Sequence, residues 1–340
     1  MGAAVRFETS GAVPALDPGS EFAASIDASI ARARDALLEL QRPEGYWQAP
    51  LEANAQMNAE FIIFNHFMQV EDPDLESRLA NFLLERQQAD GSWNLFKGGE
   101  GYLSYTIEAY VALKLAGMPA TDDRMVAARE WILSRGGIEK AGTLARFYLA
   151  AIGQVPWRAT TAVPVEITLL PNWFPINVYS LASWARGTLF ALSILQALRP
   201  RVEVDNRRSA LELYSGDPAQ AKFRQPAGEG ILSLRGIFNV ADRILRSYDR
   251  HHLKRLRARG IRHAENWILN HQEQNGSFGG IQPCYLLSTM ALKALGYSNE
   301  HPVIRNALRA CRELIWPMTD KALCMPCVSP NWDNAGGESA

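Results

Sequence analysis

Carboxyl and thiol groups are the first candidates for chemistry in this chain, because both can take part in proton transfer and thiols also bind metals. Two tight acidic segments, Glu71-Asp-Pro-Asp74 and Thr121-Asp-Asp-Arg124, fall in polar connections, where carboxylates favour the start of a helix. Cys324-Met-Pro-Cys327 has the spacing of a zinc knuckle or a redox pair. A structural zinc needs a second ligand pair, and none follows, so we favour small buried thiols over metal or redox chemistry.

Motifs for other catalytic chemistries are absent from the sequence. It contains no Gly-x-x-x-x-Gly-Lys-Ser/Thr phosphate loop, no Gly-x-Ser-x-Gly elbow and no His-Glu-x-x-His pair. The Gly98-Gly-Glu-Gly101 segment lacks the strand and helix that a dinucleotide site requires. We therefore predict neither a metal nor a cofactor.

The charge balance argues against a polyanionic partner. The 340 residues carry 35 Lys+Arg against 36 Asp+Glu, which leaves no basic surface for nucleic acid. No apolar stretch approaches the roughly 20 residues that cross a bilayer. Residues 1–22 lack a cationic start followed by an apolar run, so we expect a flexible lead rather than a signal peptide. The four cysteines lie in the last fifth of the chain, which favours a reducing, cytoplasmic setting.

A repeat organises the chain. Three segments share Gln, then Gly four residues later, then an aromatic residue two further on. They are Gln41 with Gly45 and Trp47, Gln87 with Gly91 and Trp93, and Gln272 with Gly276 and Phe278. In a turn between helices, Gln can satisfy helix-end groups, Gly permits positive φ and the aromatic ring packs on the neighbouring repeat. We therefore predict structural roles for Gln41, Trp47, Gln87, Gly91, Trp93, Gln272, Gly276 and Phe278.

Helices of two kinds flank these turns. Amphipathic patterns over residues 30–40, 74–86 and 262–270 precede the glutamines, and more uniformly apolar runs over 106–116 and 285–295 follow the aromatic residues. A helix that is apolar on most faces must be buried on most faces. The alternation predicts an all-α fold with inner and outer rings of helices, an α/α toroid. A linear solenoid of helix pairs has the same period and is the alternative.

The repeat lapses between residues 196 and 230, where a polar stretch with three prolines predicts a long surface connection. Residues 231–259 then combine an apolar face with the basic run that extends from Arg246 to Arg259. This pattern favours a helix that lies on an anionic membrane surface, on the cytoplasmic side. A solvated outer helix with its apolar stripe in the core is the alternative.

The Gln-x-x-x-Gly-x-Trp turns resemble the QW repeats of the squalene–hopene and oxidosqualene cyclases. Four further segments resemble the bacterial squalene–hopene branch in the same order, and they are residues 90–114, 177–186, 279–283 and 329–333. The resemblance covers nearly everything from about residue 25 to the end. Single QW turns also occur in prenyltransferase subunits, but four ordered motifs make the identification specific.

The resemblance implies an enzyme that protonates a linear C30 polyene and guides the cation through successive ring closures. That chemistry needs a strong, positioned acid and a dry cavity whose aromatic faces stabilise cations. The cavity residues that the family implies are Trp184, Ile281, Gln282, Pro283, Trp332 and Asp333. Purely structural alternatives are core packing for Trp184, a helix cap for Gln282 and a loop brace for Asp333.

The family's acid is missing from this sequence. It is the central Asp of an Asp-x-Asp-Asp motif in the second, C-terminal toroid, and no such motif occurs here. The resemblance thus implies residues 23–318 as the N-terminal toroid and residues 319–340 as a stub of the C-terminal catalytic domain. We expect no squalene cyclisation by the chain alone. If hopene formed, the acid would have to be sought among Glu52, Glu60, Glu108 and Asp333.

Three functions remain open at this stage. The chain can be a cyclase half that acts on a squalene-like polyene lipid with a separately encoded C-terminal partner, or the remnant of a truncated cyclase gene. The third is a non-enzymatic lipid-binding or scaffolding α/α domain. The family also implies a homodimer held to one membrane leaflet, as expected for the complete enzyme.

Overall fold

The computed structural model describes residues 21–43, 45–174, 177–223, 245–249 and 251–328. It divides into one compact unit of residues 1–49 with 329–340 and another of residues 50–328. The first unit contains helix α1 (Glu21–Leu40). The helices of the second unit are α2 (Gln56–Met68), α3 (Pro73–Arg86), α4 (Leu103–Leu115), α5 (Asp123–Ser134), α6 (Thr143–Ala151), α7 (Ser183–Leu198), α8 (Lys254–Asn270), α9 (Gln282–Ala294) and α10 (Pro302–Glu313). The predicted all-α class is confirmed.

Buried helices form the core of the second unit. Every residue of α2 is buried, and α4 and α9 are buried along nearly their whole length. α2 packs against α4, and α9 packs against α7. Gly117 and Gly296, which follow α4 and α9, have φ of 96° and 102°. This left-handed conformation favours glycine and ends each apolar helix where the sequence pattern predicts.

Amphipathic helices cover this core from outside. α3 buries Leu79, Phe82 and Leu83, and α10 buries Ile304, Ala307 and Cys311. The two acidic segments start outer helices, as predicted. Asp72 Oδ1 accepts a hydrogen bond from Leu75 N at the start of α3, and Asp122 Oδ1 accepts one from Arg124 N at the start of α5.

The three repeat turns, residues 41–47, 87–93 and 272–278, share one hydrogen bond. In each, the Gln Nε2 donates to the carbonyl of the glycine four residues later, over 2.9, 3.0 and 3.0 Å. The indole N–H of Trp47 donates to Leu37 O, and that of Trp93 donates to Leu83 O. The two indole groups therefore fasten the first two turns to the helix before each of them.

The predicted surface connection is partly a core segment. α7 continues to Leu198, and residues 199–223 follow as irregular chain with short 3-10 turns. Leu213 and Tyr214 are buried, and Lys114 of α4 pairs with Glu212. A polar composition concealed this packing, because the buried residues are few and irregularly spaced.

The basic run is likewise partly internal. Arg246 donates to Arg158 O and Thr160 O, and the buried Arg257 pairs with Glu166 and Asp249. The buried Arg257 is therefore not available to a membrane surface, and Arg246 is partly buried. Membrane contact by the rest of the run stays a prediction. Residues 231–244 and Arg250 lie outside the described residues. None of the described helices is long and apolar enough to cross a membrane.

The chain after α10 forms a small hairpin that was not predicted. Strands β1 (Ile315–Pro317) and β2 (Ala322–Cys324) pair in antiparallel register, with Ile315 opposite Cys324. Residues 322–325 are buried in the second unit. The boundary predicted at residue 319 thus falls inside a packed hairpin.

Candidate functional site

Side chains from four buried helices meet in the unit of residues 50–328. Gln282, the first residue of α9, donates from Nε2 to Met57 O in the first turn of α2, over 3.2 Å. α2 and α4 carry the fully buried carboxyls of Glu60 and Glu108, which interact electrostatically. Tyr148 of α6 is also fully buried and adjoins Glu60. We call this group, together with Gln56, the acid cluster.

Glu60 holds its proton at neutral pH. Gln56 Nε2 donates to Glu60 Oε1 over 2.8 Å. Burial raises the pKa of Glu60 to about 8, and the polar side chains of Gln56, Tyr148 and Gln282 offset this rise only in part. The Glu60 carboxyl is therefore mostly neutral at pH 7.

Glu108 is less well satisfied than Glu60. Neither of its carboxyl oxygens has a hydrogen-bond partner among the residues that the structure describes, and the same holds for Glu60 Oε2. Burial, and then the negative charge of Glu60, raise the pKa of Glu108 well above its ordinary value. Two buried carboxyls that repel each other in their charged forms make a weak acid and a ready partner for an incoming cation.

Gln282 is held in place by its backbone as well as its side chain. Its N–H donates to Pro326 O over 2.7 Å, just beyond the hairpin. Asn58 fixes the hairpin in turn, because its Nδ2 donates to Ala322 O and its Oδ1 accepts from Cys324 N. The Gln282 side chain bonds to α2 and does not cap its own helix, so the helix-cap alternative is wrong.

Aromatic residues lie beside the acid cluster at the start of α4. The rings of Tyr102 and Tyr105 are 4.7 Å apart. Burial, and then the charge of Glu108, raise the pKa of Tyr105 to about 12. A groove of about 530 Å³ lies nearby, lined by residues 52–55, 85–86 and 94–97. Leu95 and Phe96 of this groove are exposed.

The predicted cavity residues fall into two groups. Trp184, the second residue of α7, is 51% exposed, and its Cα would lie 3.6 Å from a Cβ added to Gly279, next to the Ile281-Gln282-Pro283 segment. The structure thus brings Trp184 and that segment together. Trp332 and Asp333 lie outside the described residues. A role for all six in lining a substrate cavity stays a prediction.

A second cavity, of about 290 Å³, lies between α7, α8 and α9. Its lining includes Gly187, Trp267, Cys284 and Ser288. Trp267 stacks on Phe190, with ring centroids 4.4 Å apart. This cavity has aromatic walls but no carboxyl group as deeply buried as Glu60 or Glu108.

Asp333 lies outside the described residues, and Glu52 and the buried thiols are unsuited to acid chemistry. Glu52 is exposed and paired with Arg86, over 2.6 and 2.8 Å. Cys311 and Cys324 are buried, and burial raises the pKa of the Cys311 thiol to about 12 and that of Cys324 well above its ordinary value. Within the described ranges, no group of three His, Cys, Asp or Glu side chains is placed to hold a metal ion.

The sequence predicted Glu60 and Glu108 only as acids to be sought if the chain alone formed hopene. It gave no prediction for Gln56 or Tyr148. One signal was available. Glu60 and Glu108 are the only acidic residues of α2 and α4, two mainly apolar and deeply buried helices. Burying a single carboxyl in a hydrophobic core costs folding free energy. A residue that is kept there despite this cost is a candidate for a functional role.

Comparison with known proteins identifies the family. A family model described as the squalene-hopene cyclase N-terminal domain matches residues 30–320. The chain belongs to the squalene–hopene cyclase family. The predicted α/α toroid, the fold of this family domain, is thereby confirmed over the linear solenoid.

Curated relatives show how much of a cyclase the chain spans. The squalene–hopene cyclase of Alicyclobacillus acidocaldarius is 37% identical over 307 residues, which are 90% of this chain and 48% of the relative. The squalene–hopene cyclase of Zymomonas mobilis is 35% identical, over 93% of this chain and 48% of the relative. Dammaradiene synthase of Dryopteris crassirhizoma is 34% identical, over 92% and 45%. The chain therefore spans about half the length of these relatives.

Proposed function

We propose that this chain supplies the N-terminal part of a squalene–hopene cyclase and takes part in the cyclisation of a squalene-like polyene to hopanoid triterpenes. It does so only in assembly with a C-terminal half that carries the Asp-x-Asp-Asp acid. The observation that carries the proposal is the buried carboxyl pair of Glu60 and Glu108 next to Gln282. This pair is unsuited to the first step of a cation cascade and suited to its last.

The first step protonates a carbon–carbon double bond, which requires a strong acid. Burial makes Glu60 and Glu108 weaker acids than ordinary carboxyls, and the negative charge of Glu60 weakens Glu108 further. Their protons are held too tightly for an alkene to remove. The chain alone is therefore expected to form no hopene.

The last step removes a proton from a carbon next to the final cation. The C–H electron pair becomes the new double bond, and a base takes the proton. A positive charge within about 4–6 Å lowers a carboxyl pKa, so a cationic intermediate is best stabilised when one carboxyl of the pair is ionised. That carboxyl must release its proton to solvent before the site closes, and the resulting carboxylate then accepts the proton of the final cation without competing water.

A chimera tests the proposal. It joins this chain to the part of the Alicyclobacillus cyclase that the match leaves uncovered. Incubated with squalene, the chimera is expected to yield hopene, and this chain alone is expected to yield none, by gas chromatography and mass spectrometry. The control is the chimera with asparagine at the central Asp of the relative's acid motif, which should be inactive.

Two results would count against the proposal. Hopene formation by the chain alone would place a starting acid within it. A chimera that melts cooperatively and binds squalene without turning it over would favour the non-enzymatic lipid-binding domain.

We also propose that the start of α8 lies on an anionic membrane surface on the cytoplasmic side. Leu253, just before α8, is 67% exposed, and Leu256 is exposed beside it. Lys254, Arg255 and Arg259 are also exposed. Apolar and basic side chains together are typical of helices at membrane surfaces, and each basic residue adds about 1 kcal/mol of attraction.

Reversing two of these charges tests the membrane proposal. The double variant Lys254→Glu/Arg255→Glu is expected to bind phosphatidylglycerol vesicles at least about tenfold more weakly than the unmodified chain. The matched control is Arg207→Glu/Arg208→Glu, which reverses two exposed arginines elsewhere. Co-sedimentation measures both. An equal loss of vesicle binding in the two variants would mean that the net charge of the chain, and not this surface, governs binding.

A further inference from the structure

Asn58 is a fully buried polar residue in the first turn of helix α2. Its Nδ2 donates to Leu79 O over 3.1 Å and to Ala322 O over 2.9 Å, and its Oδ1 accepts from Cys324 N over 2.8 Å. An asparagine side chain has two N–H donors and one carbonyl acceptor, so every polar group of Asn58 has a partner. The partners are backbone atoms of α3 and β2. One side chain of α2 therefore ties three elements together.

These hydrogen bonds hold β2 in one position against α2. Burying an amide costs free energy unless its partners lie at hydrogen-bond distance, so the bonds of Asn58 form only when β2 is correctly placed. Apolar contacts depend less on position, and a fully bonded polar network fixes the arrangement of a core more closely than they do. The placement of β2 therefore explains a buried amide at this position better than the packing of α2 itself.

The chain directly after β2 supports the start of helix α9. Gln282 is the first residue of α9, and the first N–H groups of a helix have no acceptor within that helix. The Gln282 N–H donates instead to Pro326 O, over 2.7 Å. Pro326 lies two residues after Cys324, whose N–H is bonded to Asn58. The position of Gln282 thus depends on the segment that Asn58 fixes.

Side-chain contacts link the same elements a second time. The thiol of Cys324 adjoins the side chain of Gln282. Gln282 Nε2 donates to Met57 O, over 3.2 Å, and Met57 directly precedes Asn58. The Gln282 side chain also reaches the carboxyl of Glu60. The contacts therefore lead from α2 through β2 to α9, and from there back to α2 where Glu60 lies.

We propose that Asn58 is a positioning residue for the end of the cation cascade, because it holds β2 and the chain after it so that Gln282 lies against Glu60. The inference rests on the proposed function. A carboxylate that removes a proton from the final cation yields an alkene. If the acid cluster is displaced and water reaches the cation first, the water oxygen forms a new C–O bond, a proton passes to solvent, and the product is an alcohol.

Amide hydrogen exchange of the chain alone tests the connection from Asn58 to Gln282. Asn58→Ala removes all three hydrogen bonds and is expected to speed exchange of the Gln282 amide at least about tenfold, because the acceptor Pro326 O is no longer held in place. The matched control is Asn81→Ala. Asn81 Nδ2 donates to Asp320 O over 2.9 Å, at the turn of the same hairpin, so this variant should speed exchange only near that turn. Mass spectrometry with single-residue resolution measures both.

The products of the chimera defined above test the consequence for the reaction. Displacing a reacting group by about 1 Å can slow its step about a hundredfold, so Asn58→Ala is expected to raise the ratio of alcohol to alkene at least about tenfold. Asn81→Ala should leave this ratio unchanged. A merely structural defect would lower total turnover and keep the ratio, because both products come from the same cation. Asn58→Ser, whose hydroxyl can bind water in the vacated space, replaces Asn58→Ala if that variant does not melt cooperatively.

The outcomes separate this inference from the proposed function. An active chimera whose product ratio is the same with and without Asn58→Ala would overturn the positioning role and leave the cyclase proposal standing. Unchanged exchange of the Gln282 amide in a folded Asn58 variant would also overturn it. If the unmodified chimera forms no product, the proposed function fails, whereas faster exchange at Gln282 in the chain alone would still support its positioning by Asn58.

Discussion

Raising the pH from 6 to 8 is expected to destabilise this protein through its buried carboxyl pair. The pKa of Glu60 is about 8 in the folded chain against 4.5 as its ordinary value, and that of Glu108 is also raised. Between these values the folded state binds more protons than the unfolded state, so stability is present at acidic pH and is lost as the pH rises. The loss is about 1.4 kcal/mol per pH unit for each carboxyl within its interval.

Glu60→Gln isolates this effect. The amide keeps the shape of the protonated carboxyl and cannot ionise, so the contribution of Glu60 to the pH dependence of stability disappears. The repulsion that raises the pKa of Glu108 also weakens. We expect urea unfolding to show a fall in stability between pH 6 and 8 that is about 2 kcal/mol smaller in the variant than in the unmodified chain.

An exposed glutamate provides the control for this measurement. Glu130→Gln changes a side chain on the exposed side of α5 and should leave the pH dependence as it is. The buried thiols do not interfere, because their ordinary pKa of 9.0 lies above the interval. Parallel stability curves for Glu60→Gln and the unmodified chain would contradict the assignment of the proton to this pair.

The parts of the fold that the sequence predicted correctly are those that a local pattern of residue types determines. The apolar runs place α4 and α9 to within three residues, because a helix apolar on most faces must be buried and the glycines after it adopt positive φ. The helix-start roles of Asp72 and Asp122 follow from the same local rules. Neither conclusion requires knowledge of distant contacts.

The acid cluster depends on contacts that no local pattern contains. Glu60, Glu108, Tyr148 and Gln282 come from four helices, and their pKa values and hydrogen bonds arise only when those helices pack together. The basic run shows the same limit. Arg257 looks like its exposed neighbours in sequence, but in the fold it is buried between Glu166 and Asp249. Burial is a property of the tertiary structure, and pairing follows from it.

A methyl group at Gly276 is expected to destabilise the second unit strongly. Gly276 has φ of 93°, a conformation that costs an L-residue about 1–2 kcal/mol. The added Cβ would also lie 2.6 Å from the carbonyl carbon of Asn306, which is backbone and cannot rotate away. Moving α10 to relieve this contact costs about 1–3 kcal/mol more. Gly276→Ala should therefore lower the free energy of unfolding by about 3 kcal/mol or more, as measured by urea denaturation.

Gly296→Ala separates the cost of backbone strain from the cost of the steric contact. Gly296 lies in the same unit and has φ of 102°, yet a Cβ there would meet no described atom within 4 Å. Its substitution should cost only the backbone strain, about 1–2 kcal/mol. The difference between the variants then measures how tightly a repeat turn packs on the next outer helix. Equal losses would mean that the turn glycine serves the local backbone alone.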